Sequence, residues 1–192
     1  MNSRKKPQKG QYGYRNYHKK IQVCQVAFGA AMILIQLAAR NFTDNEAARN
    51  ILTVMAVLSV LPTANVASPL LASWKYKTPP KDFYQKICPH ESEVSILYDL
   101  IVTSKEQIIP LDAVAVHPTG VYGYCSFQKL DGKKAENYLN QMFAGHRLTP
   151  HVKLIFQENV FFQRLNTLKP SSQWEDDGSV AYTEQLLKNL SM

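Results

Sequence analysis

Two stretches of this chain, Ile21 to Ala39 and Ile51 to Trp74, contain no charged side chain, and nothing else in the sequence restricts its fold as much. As a helix the first run, IQVCQVAFGAAMILIQLAA, would extend about 28 Å, against a bilayer hydrocarbon core of about 30 Å; the second run is longer. A protein of 192 residues has little room to bury two consecutive apolar helices inside a soluble core, so both are read as transmembrane, 21–39 and 51–74. A signal peptide fits the first run poorly, because a long tail precedes it and its apolar part exceeds the usual span of about 7 to 15 residues.

The details of the runs fit this reading. Gln22, Gln25 and Gln36 lie towards the ends of the first, where an amide reaches the interface or a neighbouring helix. The second closes with Trp74 followed by Lys75 and Lys77, an interfacial ending, and its Pro62 and Pro69 predict a kink or irregular final turns. The short connector predicts an antiparallel hairpin, with Asn41-Phe42-Thr43 as a polar turn and not a glycosylation site. Small residues (Ala27, Gly29, Ala30 and Ala31; Ala64, Ala67 and Ser68) allow close helix packing and leave oligomerisation through the helices open.

The net charge of +7 comes from one end of the chain. Arg4, Lys5, Lys6, Lys9, Arg15, Lys19 and Lys20 are seven of the 22 basic residues, no acid lies among them, and the other 15 are matched by 15 acids. A basic tail at 1–20 and a second set of cations after Trp74 place both termini in the cytoplasm. Arg4, Lys5, Lys6, Lys9, Arg15, Lys19, Lys20, Trp74, Lys75 and Lys77 are then the expected membrane-surface residues, facing anionic lipid headgroups. Tyr12, Tyr14 and Tyr17 among these cations would also suit base stacking, but beside a membrane helix lipid is the simpler partner and nucleic acid the weaker one. Cys24, Cys88 and Cys125 are odd in number and dispersed, so no disulfide framework is implied.

Lys77-Thr78-Pro79-Pro80 makes a stiff break, and a linker at 75–81 leaves 82–192 as a small α/β domain. Its pattern predicts a short amphipathic piece to Ile87 and a helix from Glu91 to Thr103 striped by Val94, Leu97, Tyr98 and Ile101. A β-hairpin turning at His117-Pro118-Thr119-Gly120 follows, then a helix over 133–143, strands over 152–157 and 160–165, and a closing helix over 180–190. Pro170 to Gly178, with Glu175, Asp176 and Asp177, reads as a solvated acidic loop.

The hairpin segment Leu111-Asp112-Ala113-Val114-Ala115-Val116-His117-Pro118-Thr119-Gly120-Val121-Tyr122-Gly123-Tyr124-Cys125-Ser126-Phe127 resembles the nuclease-related (NERD) domain, a branch of the restriction-endonuclease-like fold. The resemblance covers about residues 90–130, including the predicted helix before the hairpin. It implies that Asp112 takes the place of the family's first metal-binding aspartate, and Pro118 and Gly120 that of its turn. Cys125 stands where the glutamate belongs and Phe127 where the lysine belongs. Two carboxylates must hold Mg²⁺ against a scissile phosphate while a lysine serves the attacking water; a thiol and a phenyl ring do neither.

The expectation is therefore a membrane-anchored, non-catalytic protein whose cytoplasmic domain, a degenerate nuclease-like module, binds another protein and needs no cofactor. The alternative is an enzyme: a divergent Mg²⁺ nuclease using Asp112 with Glu91, Glu93 or Asp99, or a thiol-dependent activity at Cys125; a triad with His117 as base and Asp112 as orienter is disfavoured, because His117 lies at the turn and Cys125 well down the return strand. Cys88, His90, His117 and Cys125 have zinc-ligand chemistry but no standard spacing, and His146 and His151 read as surface residues.

Overall fold

The computed structural model describes residues 6–149, 151–170, 173–174 and 178–192. Arg4, Lys5 and the acidic residues of the predicted 170–178 loop lie outside the described residues. The chain divides into two compact units, residues 16–76 and residues 1–15 with 77–192. The second unit is discontinuous in sequence. The basic tail expected at 1–20 and the linker expected at 75–81 are therefore divided between the units: residues 6–15 and 77–81 belong to the α/β unit.

Two helices, α1 (Tyr14–Asn41) and α2 (Glu46–Ser73), have 28 residues each and are long and apolar enough to cross a membrane. Both extend beyond the uncharged runs. Asn45 caps α2, its side chain accepting from the amides of Ala47 and Ala48 at 2.9 and 3.5 Å, with Glu46 favourably placed in the first turn. The final turns are regular: α2 remains helical through Pro62 and Pro69.

Within this unit Gly29 of α1 lies against Thr63 of α2, where an added Cβ would fall 2.3 Å from the threonine Oγ1. The Gln36 amide and the Ser59 hydroxyl hydrogen-bond between the helices at 3.3 Å. Apolar side chains such as Phe28, Leu34, Leu61 and Leu71 point outwards and are exposed. At the open end, Lys19 Nζ donates to the carbonyls of Trp74 and Tyr76 at 2.9 and 2.7 Å, where the last carbonyls of a helix need donors.

The α/β unit is built on one four-stranded sheet, in the order β1 (Ser95–Thr103), β2 (Ile108–His117), β3 (Gly120–Tyr124), β4 (Val152–Ile155). The first three strands form an antiparallel meander, and β4 joins β3 in parallel after the crossover helix α4 (Gly132–Gly145). The β2–β3 turn needs Gly120: its φ is +150°, and a Cβ there would come within 2.8 Å of the His151 carbonyl.

Apolar residues cover both sheet faces. On one, Leu97, Leu100, Ile109 and Leu111 join Leu139 and Phe143 of α4 and Leu187 of α6 (Ser179–Leu190). On the other, Tyr98, Ala113 and Ala115 join Phe83 and Ile87 of α3 (Lys81–Ile87) and Phe161 and Leu165 of α5 (Glu158–Thr167). Two predicted elements are corrected here. Residues 95–103 form β1, preceded by a 3-10 turn at Cys88–Ser92, and the expected strand at 160–165 lies inside α5.

The alternation of faces along β1 and β2 is not continuous. Leu97, Leu100 and Val102 share one face although 97 and 100 differ in parity, and Leu111 and Val114 do the same on β2. The two inversions lie opposite one another, at Asp99 and Asp112, where the ladder skips from Tyr98↔Ala113 to Leu100↔Leu111. Asp99 has φ +58°, the left-handed conformation that turns a strand over by one residue.

Both sheet edges are occupied. On β1, Tyr98 N donates to Gly10 O and Met192 N to Ile101 O, each at 2.8 Å; on β4, the amides of Val152 and Leu154 donate to Asn140 Oδ1 and Glu136 Oε1 at 2.9 and 2.7 Å. Further strands are thereby kept off.

The Gly29–Thr63 contact sets a test of the helical unit. Gly29→Ala should lower the thermal stability followed by helical circular dichroism in detergent, by about 1 to 3 kcal/mol for an overpacked site, and Thr63→Ala in the same chain should restore most of it.

Candidate functional site

The paired inversion leaves a gap in the sheet ladder, and the Arg15 side chain fills it. Nη2 donates to the carbonyls of Leu100 and Leu111 at 3.1 and 3.0 Å, and Nη1 to the carbonyl of Lys77 at 2.7 Å. The guanidinium lies between the two acids, with Nη1 2.9 Å from Asp112 Oδ1 and Nε 3.7 Å from Asp99 Oδ1. Arg15, Asp99 and Asp112 are 5%, 3% and 2% exposed, so charges of opposite sign meet here with little solvent between them.

The remaining carboxylate oxygens are also bonded. Asp99 Oδ2 accepts from the amides of Gly13 and Arg15 at 2.8 and 3.3 Å and from the Thr78 hydroxyl at 2.8 Å, while Asp112 Oδ2 accepts from Ser126 N at 2.8 Å. Burial pushes the Asp99 pKa up, and Arg15 and the Thr78 hydroxyl oppose it. Only Arg15 Nε and Asp99 Oδ1, which face each other, lack a hydrogen-bond partner among the buried atoms of this cluster.

This placement corrects the expectation that Arg15 faces a membrane surface; it is the buried counter-ion of the α/β unit. Lys9 is drawn inwards as well, donating to the Ser191 carbonyl, and partial burial lowers its pKa. Lys19 is committed to the end of α2. Lys6, Lys20, Trp74, Lys75 and Lys77 remain exposed.

Asp112 and the segment Cys125–Phe127 come together, as the hairpin register requires, through the bond from Ser126 N. A Mg²⁺ ion does not fit Asp112: one oxygen is held by a guanidinium and the other by a backbone amide, so a divalent cation would have to displace a fixed positive charge. Of the acids considered as co-ligands, only Asp99 is nearby, and it binds the same guanidinium. Glu91 accepts a hydrogen bond from Tyr98, and Glu93 is exposed. Among the described residues, no three His, Cys, Asp or Glu side chains gather as a metal site.

Cys125 is fully buried, and that burial pushes its thiol pKa up to about 11. The ladder sets Tyr124 opposite Ala113 and Gly120 opposite His117, so Cys125 lies about five residues along the sheet from His117, roughly 16 Å. His117 is instead held by Thr119 Oγ1 at 2.7 Å and the Lys169 carbonyl at 3.0 Å, on a cavity also lined by Arg147 and Trp174. A Cys–His pair is therefore not formed. His146 Nδ1 is 3.2 Å from the Tyr182 hydroxyl, and Cys88 is exposed.

Removing the guanidinium should leave two buried carboxylates facing each other. Arg15→Met is expected to cost about 3 to 5 kcal/mol in urea unfolding, and adding Asp99→Asn and Asp112→Asn, which removes the facing charges and keeps an acceptor oxygen at each position, should recover part of the loss. A chain cut at Lys77 should fail to give a cooperative transition, since it lacks Arg15 and the Gly10 carbonyl.

No protein-family model matches the chain, and comparison with curated proteins and with solved structures gives no significant match.

Proposed function

We propose that this chain is a membrane-anchored, non-catalytic protein: α1 and α2 cross a bilayer as a hairpin, and the α/β unit is a degenerate nuclease-like binding module in the cytoplasm. The single observation that carries the non-catalytic reading is the position of Arg15. A hydrolytic site of the kind the Asp112 hairpin resembles requires a metal ion, and here a side chain of the protein supplies the positive charge in its place.

Support for the anchor comes from helices of 28 residues with outward apolar side chains, about 42 Å each, enough to cross the hydrocarbon with a turn or two to spare. Arg15 and Lys77 belong to one compact unit and the whole hairpin lies between them, so an even number of crossings keeps both ends on one side. The exposed cations Lys6, Lys20, Lys75 and Lys77 favour the cytoplasm as that side and anionic headgroups as their neighbours. Binding of another protein remains the role assigned to the α/β unit. The resemblance itself has less support than the hairpin alone implies, because the helix that should precede it is β1.

The full chain in mild detergent, incubated with DNA or RNA and Mg²⁺, should leave the nucleic acid intact; cleavage that disappears in Asp112→Ala would overturn the reading. Cys125 should resist alkylation at neutral pH until the protein is unfolded, since a thiol with a pKa of about 11 offers almost no thiolate. Carbonate extraction should leave the chain in the membrane pellet, and release into the supernatant would count against the anchor.

A further inference from the structure

Three tyrosines from separate stretches of the α/β unit meet beside a cavity of about 380 Å³. The rings of Tyr12 and Tyr84 stack with centroids 4.4 Å apart at 18°. Tyr98 meets both of them edge-on, at 6.3 Å and 87° from Tyr12 and at 5.4 Å and 71° from Tyr84. All three hydroxyls are engaged: Tyr12 donates to the Pro79 carbonyl and Tyr98 to Glu91 Oε1, each at 2.7 Å, and the Tyr84 oxygen accepts from the Cys88 thiol at 3.7 Å. These bonds fix the rings, so what they offer the cavity is chiefly ring surface.

The rest of the lining sets the sign of the ligand. Glu91 is exposed and its carboxylate borders the cavity; Pro7, Gly10, Gln11 and Ile96 also line it, and among the described residues no basic side chain takes part. Aromatic faces carry negative potential, and one carboxylate adds a full charge, so the cavity favours a cation. A metal ion would need more oxygen ligands than one carboxylate provides. A primary ammonium would give up its water for few acceptors, because the three phenol oxygens are already engaged. An alkylated ammonium needs no acceptors and presents methyl groups to the rings.

We propose that this cavity binds an alkylated ammonium group of the choline type, with Tyr84 and Tyr12 supplying ring surface and Glu91 the counter-charge. The proposal goes beyond the reading of the Asp112 site and does not depend on it. Because Tyr12 lies on the segment that carries Arg15 into the sheet, a bound ligand would also hold that segment down.

The test uses the full chain in maltoside micelles, which contain no ammonium group. Choline is titrated and followed by saturation-transfer difference NMR of its methyl signal, with 3,3-dimethylbutan-1-ol as the neutral isostere. Saturable binding in the millimolar range is expected, with the alcohol weaker by about tenfold and Glu91→Gln and Tyr84→Leu each raising Kd by about five- to tenfold. Equal binding of choline and the alcohol, no saturable signal, or a Glu91→Gln chain that binds choline as the parent does would overturn the proposal. Glu91 is exposed, so its variant remains informative even if Tyr84→Leu does not fold. Repeating the titration in phosphatidylcholine and phosphatidylglycerol nanodiscs separates the sources: choline weakened only by phosphatidylcholine supports a lipid headgroup, and equal affinity in both supports a free ligand.

Discussion

A single guanidinium makes the α/β unit possible. Asp99 and Asp112 face each other across adjacent strands with almost no solvent, an arrangement that calls for a cation between the carboxylates or a proton shared by them. Arg15 supplies that cation and also takes the Leu100 and Leu111 carbonyls at the gap in the ladder. The same contact ties residues before the hairpin to residues after it. The chain is therefore one α/β domain with a long apolar excursion inserted near its start.

Much of this was legible beforehand, and the misreadings have physical causes. The apolar runs, the β2–β3 hairpin with its Gly120 turn, α4, β4 and α6 all follow from length, turn chemistry or periodicity. The segment 91–103 carries Val94, Leu97, Tyr98 and Ile101 at helical spacing, yet Leu97 and Tyr98 serve opposite faces of a strand. A strand buried on both sides and inverted at Asp99 produces the same spacing as a helix stripe. The converse error lies at 160–165, where Phe161 and Leu165 are four residues apart on α5 and the β-branched and aromatic neighbours suggested a strand.

The site was harder to find. Asp112 and Cys125 stand out through the resemblance of the hairpin to the nuclease-related domain, and they do come together through Ser126. Arg15 does not stand out, because nothing local distinguishes one cation among seven. The available hint was in the glycines: Gly10 and Gly13 have φ of +88° and +90°, and a tail that alternates glycine with tyrosine is better suited to an ordered turn than to a free polybasic arm. Charge counting treats every lysine and arginine as equivalent, whereas the buried position uses a planar fork that serves carboxylates and carbonyls together, which two of the seven cations, Arg4 and Arg15, carry.

The Lys19 contact with the end of α2 has a consequence for how the domain closes. Arg15 must find Asp112 across 97 residues of chain, but once the helical hairpin has formed, Lys19 and Tyr76, 57 residues apart, are already joined. Only about 40 residues then remain to be closed, and the entropy of loop closure falls by a term on the order of 1 kcal/mol. A hairpin that forms first would thus shorten the loop that has to close before the buried charge is paired.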